Sequence, residues 1–92
     1  MYCNRRWIEN EGCYILEFRA YDSWVEILRM QKVKDEDNCW IYTSDIMHVE
    51  YDYIFEDNIE CAKDTCEKMY EACLEDEINY LREIMNMWLE EE

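Results

Sequence analysis

Proline is absent from this 92-residue chain and glycine occurs once, at Gly12. Small disulfide scaffolds are secreted, loop-rich and well supplied with both residues, so the six cysteines do not indicate one. Cys3, Cys13, Cys39, Cys61, Cys66 and Cys73 form no CxxC or CxxxC pair, and a closed zinc site has no support. They read as reduced thiols acting as small core hydrophobes. No glycine-rich phosphate loop exists, and Arg5-Arg6 is the sole basic doublet, too little for a nucleic-acid-binding surface. The opening Met1-Tyr-Cys-Asn-Arg-Arg is polar and no run of eighteen apolar residues occurs, so neither a signal peptide nor a membrane span is expected. The expected location is the cytosol.

What the chain does have is acid. Asp and Glu number 24 against 9 Lys and Arg, a net charge of −15. Half the residues are nonetheless hydrophobic and 15% aromatic, which predicts a folded domain and not a disordered acidic tail. The charge is also segregated. Residues 1–34 hold six basic and five acidic side chains, net +1, whereas residues 35–92 hold three and nineteen, net −16. Such a field repels nucleic acid and anionic membranes and attracts basic protein surfaces.

The first half of the chain reads as strands. Residues 2–19 form a predicted hairpin about Glu9-Asn10-Glu11-Gly12, where a three-residue bulged turn would set Glu9 against Cys13, Trp7 against Ile15 and Arg5 against Glu17. Ala20-Tyr-Asp-Ser23 is a second turn. Residues 24–34 are ambiguous, because Ser23 and Glu26 resemble a helix capping box. The β-branched and aromatic content, with the polar loop Lys34-Asp-Glu-Asp-Asn38 and then Cys39-Trp-Ile-Tyr-Thr43, favours a hairpin of two strands. From Met47 to Phe55, Val49, Tyr51, Tyr53 and Phe55 alternate with His48, Glu50, Asp52 and Ile54. That period of two predicts a strand with its aromatic side on the core and an acidic side outward.

Residues 57–92 contain neither Gly nor Pro and carry apolar residues in steps of three and four, the pattern of an amphipathic helix about 50 Å long. Asp57 or Asn58 is its N-cap. The apolar side of residues 59–73 points roughly 80° away from that of residues 78–89. Either the helix bends or breaks near residues 75–77, or its halves bury against different neighbours. The predicted fold is thus α+β: one domain with an antiparallel meander of four or five strands over residues 1–55 and a long C-terminal helix packed on one face.

Along that helix Glu60, Asp64, Glu67, Glu71 and Glu75 are successive surface neighbours, roughly 5 to 6 Å apart at Cβ. The bland reading is a solvated face; the functional one is a row of phosphate surrogates extended by Glu50, Asp52, Glu56 and Asp57. Ile78, Leu81, Met85 and Trp88 could form a seam with a second copy. A cysteine nucleophile paired with His48 has nothing to flag it, and no metal or cofactor is expected. The chain is expected to bind, not to catalyse.

In length, acidity and layout the chain resembles the phage-encoded anti-CRISPR and anti-restriction inhibitors, many of which are similar to DNA in charge and occupy the nucleic-acid or PAM-reading groove of a defence nuclease. The resemblance is one of composition and layout. It implies a non-enzymatic inhibitor whose partner is a basic nucleic-acid-binding protein, acting in a host cytosol. The alternative is an antitoxin- or adaptor-like subunit that neutralises a basic protein through the acidic helix and dimerises through the apolar seam.

Overall fold

The computed structural model describes residues 4–90; Cys3, expected among the core thiols, and the last two residues of the expected helix lie outside them. Five strands follow in chain order, β1 (Arg5–Asn10), β2 (Cys13–Ala20), β3 (Ser23–Lys32), β4 (Cys39–Ser44) and β5 (Val49–Phe55), then one helix, α1 (Ile59–Glu90). The strands form an antiparallel meander in the order β1-β2-β3-β4-β5, and the architecture is α+β. Two compact units divide the chain, Met1–Ala62 and Lys63–Glu92.

The first hairpin is tighter than its sequence suggests. Glu11 and Gly12 alone form the loop, at φ of 51° and 80°, and Asn10 pairs with Cys13. Positive φ at both central residues gives the twist that suits a two-residue hairpin loop. The expected register is therefore wrong by one: Glu17 faces Arg6 and not Arg5, and Trp7 faces Leu16 and not Ile15. The true register brings Arg6 Nε to 2.8 Å from Glu17 Oε1 and lays the Arg6 guanidinium 3.8 Å above the Trp24 ring.

Residues 23–32 are a strand, as the hairpin argument expects, and Glu26 pairs with Arg29 at 2.8 Å instead of capping a helix. A bulge lies within this strand. Leu16 pairs with Leu28 and Glu17 with Glu26, so Ile27 is an extra residue. The bulge re-phases the strand, which is why consecutive residues, Ile27 and Leu28, are both buried. The Ile27 carbonyl accepts a 2.6 Å hydrogen bond from Ser44 Oγ, which also accepts from the Met47 N–H at 3.1 Å. Ser44 thereby ties the bulge to the β4–β5 turn, and its own burial is satisfied.

The core of the first unit runs across one face of the sheet. Leu16–Leu28, Met30–Tyr42 and Trp40–Ile54 are directly opposed pairs, and all six side chains are buried. Opposed residues in an antiparallel sheet share a face, so the register alone assembles this layer.

Asn58 is the N-cap of α1. Its Oδ1 accepts from the Cys61 N–H at 2.9 Å, while its carbonyl accepts the first helical bond from the Ala62 N–H at 3.0 Å. The helix is unbroken through residues 75–77, and every described residue from 74 onward is exposed. No helix among the described residues is long and apolar enough to cross a membrane.

Candidate functional site

In the first unit the carboxylates of interest cluster on β5 and the turn that follows. Glu50, Asp52 and Asp57 are exposed, and Glu56 is half-buried. Asp52 Oδ1 accepts from the Tyr53 N–H at 2.8 Å, which fixes its rotamer at the strand surface. Glu56 is anchored through its backbone: its N–H donates to the Asn38 carbonyl at 3.1 Å and its carbonyl accepts from Trp40 Nε1 at 3.4 Å. Glu50 sits in a second bulge, because Tyr42 pairs with Asp52 and Ser44 with Val49, leaving two residues of β5 against Thr43. It lines an open groove of about 620 Å³ with Asp45 and His48.

The expected orientation of β5 is reversed. The pairs Trp40–Ile54 and Tyr42–Asp52 put the Ile54 side on the core, so the aromatic side faces out: Tyr51, Tyr53 and Phe55 are 76%, 55% and 74% exposed. Trp40 and Tyr42 on the neighbouring strand already fill the buried face beside this edge strand. The Tyr53 and Phe55 rings are near-parallel, 24° between planes, with centroids 6.4 Å apart. The alternation of aromatic side chains with carboxylates is the expected one; what differs is that the aromatic side is exposed on the edge strand. Rings of this kind are the usual anchors of protein interfaces.

On α1, Glu60, Asp64, Glu71 and Glu75 are exposed and Glu67 is half-buried. At 100° per residue the five fall within a stripe about 80° wide, and Ala62 and Cys66, the fully buried helical residues, lie on the opposite side. Each step advances about 4.5 to 6 Å along the axis. Lys68 Nζ stands 2.8 Å from Asp64 Oδ2, an exposed i,i+4 pair that offsets part of the row's charge.

Cys13, Cys39, Cys61, Cys66 and Cys73 are reduced thiols. Burial, and secondarily Glu67, pushes Cys66 up to about 12, so at neutral pH it is a protonated, unreactive thiol. His48 adopts a φ of 59° in the β4–β5 turn, with its N–H donating to the Asp45 carbonyl at 3.2 Å. Among the described residues no group of three or more His, Cys, Asp or Glu is arranged to hold a metal ion.

The expected seam residues Ile78, Leu81, Met85 and Trp88 are all exposed, between 49% and 68%, and Leu74 joins them at 43%. No known protein family, curated protein or solved structure matches the chain.

Proposed function

We propose that this protein is a non-enzymatic inhibitor of the anti-CRISPR type, which occupies a basic nucleic-acid-binding groove of a defence nuclease in the host cytosol. The observation that carries the reading is the carboxylate stripe on one continuous helix. Glu60, Asp64, Glu67, Glu71 and Glu75 present anionic groups over about 22 Å, on the length scale at which charge repeats along a nucleic-acid strand. Glu50, Asp52, Glu56 and Asp57 add negative surface on the first unit, and Tyr51, Tyr53 and Phe55 supply the apolar contacts that an electrostatic match lacks. The mechanism is competition without turnover: target nucleic acid and inhibitor claim the same cationic groove.

The test is binding to a panel of guide-loaded CRISPR effector nucleases, with target-DNA binding as the readout. A positive result is inhibition that weakens steeply between 50 and 300 mM salt, is relieved by excess target DNA, and is lost in the Glu67→Lys/Glu71→Lys variant. Full inhibition by that variant, with its helix intact by circular dichroism, refutes the mimicry. A second reading, an antitoxin- or adaptor-like subunit, draws on the exposed apolar half of α1. It predicts a protein partner whose capture is indifferent to salt and to nucleic acid.

A further inference from the structure

The acidic stripe and the apolar seam are one stripe. Glu60, Asp64, Glu67 and Glu71 are followed in the same alternation of four and three by Leu74, Ile78, Leu81, Met85 and Trp88. A strict four-three repeat is the seam of a coiled coil, and here its occupants change from carboxylate to hydrocarbon at residue 74. The five apolar members are 43% to 68% exposed. With Ile78 and Met85 at a positions, Leu74, Leu81 and Trp88 take d positions, while Glu75 and Arg82 take the flanking e positions.

We propose that residues 74–85 form an antiparallel two-helix coiled coil with the same segment of a second copy, with Trp88 extending beyond it at each end. Charge decides both the occupant and its direction. Arg82 is the only basic residue after Lys68, and its neighbours three and four positions away are Ile78, Asn79, Met85 and Asn86, none of them acidic. A partner helix running antiparallel sets Ile78 against Leu81 of the second copy, Leu74 against Met85 of the second copy, and Arg82 beside Glu75 of the second copy, twice by symmetry. Flanking residues of opposite sign select partner and orientation in this way. A parallel, in-register pair would instead press Glu71, Glu67, Asp64 and Glu60 against their own copies at core positions. Antiparallel pairing sends the two acidic stretches to opposite ends. The segment continues an established helix, so association bears no helix-nucleation cost.

The dimer does not depend on the inhibitory reading, and salt separates the two. Two chains of net charge −15 repel, so screening tightens the dimer, whereas it weakens an acidic surface on a basic groove. The experiment is sedimentation equilibrium of the full chain from 1 to 200 µM at 50 and 500 mM salt. The expected result is a monomer–dimer equilibrium, tighter at high salt. Leu81→Asp should raise the dissociation constant at least tenfold. Because Leu81 is exposed in the single chain, the helix content and melting of the dilute variant should be unchanged. Arg82→Glu should weaken the dimer and Glu75→Lys/Arg82→Glu should restore it. A chain monomeric at 200 µM, a dimer insensitive to Leu81→Asp, or rescue of Arg82→Glu by Glu77→Lys and not by Glu75→Lys would each overturn the proposal, the last because a parallel pair sets residue 77 beside residue 82.

Discussion

Tyr21 is 98% exposed and holds a φ of 59° in the two-residue turn between Ala20 and Ser23. A bulky side chain in the left-handed region is strained, and this one recovers nothing by packing. Tyr21→Asn should therefore stabilise the protein by roughly 0.5 to 1 kcal/mol, seen as a rise in Tm of about 4 °C. Gly12, at φ of 80°, is the converse: a Cβ there meets nothing within 4 Å, so Gly12→Ala should lose about 1 kcal/mol through backbone strain alone. Cys66 gives a pH dependence. Its folded pKa of about 12 lies above the ordinary 9.0, so its contribution to stability is complete below pH 9 and is lost as the pH rises from 9 towards 12. At pH 10 the loss is about 1 kcal/mol. Comparing denaturation of wild type with Cys66→Ala at pH 8 and pH 10 isolates it, since the variant lacks that component; an unchanged difference would count against the burial. In native protein at pH 8, Cys61 should alkylate readily and Cys66 should not.

Among the elements, β3 and β5 show how a bulge changes what a strand presents. Ile27 is the extra residue of the β3 bulge, and its carbonyl accepts from Ser44 Oγ. Ser44→Ala removes this buried hydrogen bond and should cost about 1 to 3 kcal/mol in a denaturant titration with an unchanged m-value. A neutral result would mean that the Ser44–Ile27 bond contributes nothing to the fold. The alternation over residues 49–55 identified β5 correctly as a strand but assigned the wrong side to the core. Periodicity divides a strand into two faces; which one is buried depends on its neighbour, here Trp40 and Tyr42 on β4. The hairpin register failed for a related reason. Two loop lengths place apolar and charged residues opposite one another almost equally well, and the turn conformation at Glu11-Gly12 decides between them.

The molecule as a whole is dominated by its charge, net −16 over residues 35–92. Self-repulsion of that size destabilises the native state, and salt screens it. Raising sodium chloride from 20 to 500 mM should increase Tm by several degrees even as it weakens binding to a basic partner. The Glu67→Lys/Glu71→Lys variant separates the two effects: it should bind a basic groove at least tenfold more weakly while melting close to wild type, because the smaller net charge offsets the attraction of residues 67 and 71 to Lys63 and Lys68 that the change removes. The chain's two compact units share one helix, whose residues 59–62 belong with the sheet and whose remainder forms the second unit.

The long helix, its cap near Asn58, the succession of antiparallel strands and the carboxylate row were all legible in the residue pattern, because each rests on local chemistry: period, capping and the absence of breakers. The bulge at Ile27, the outward turn of Tyr51, Tyr53 and Phe55 and the one-residue shift of the first hairpin were not. Those depend on which strand lies alongside which and on how much room remains on the buried face. Such non-local packing leaves no periodic trace in the chain.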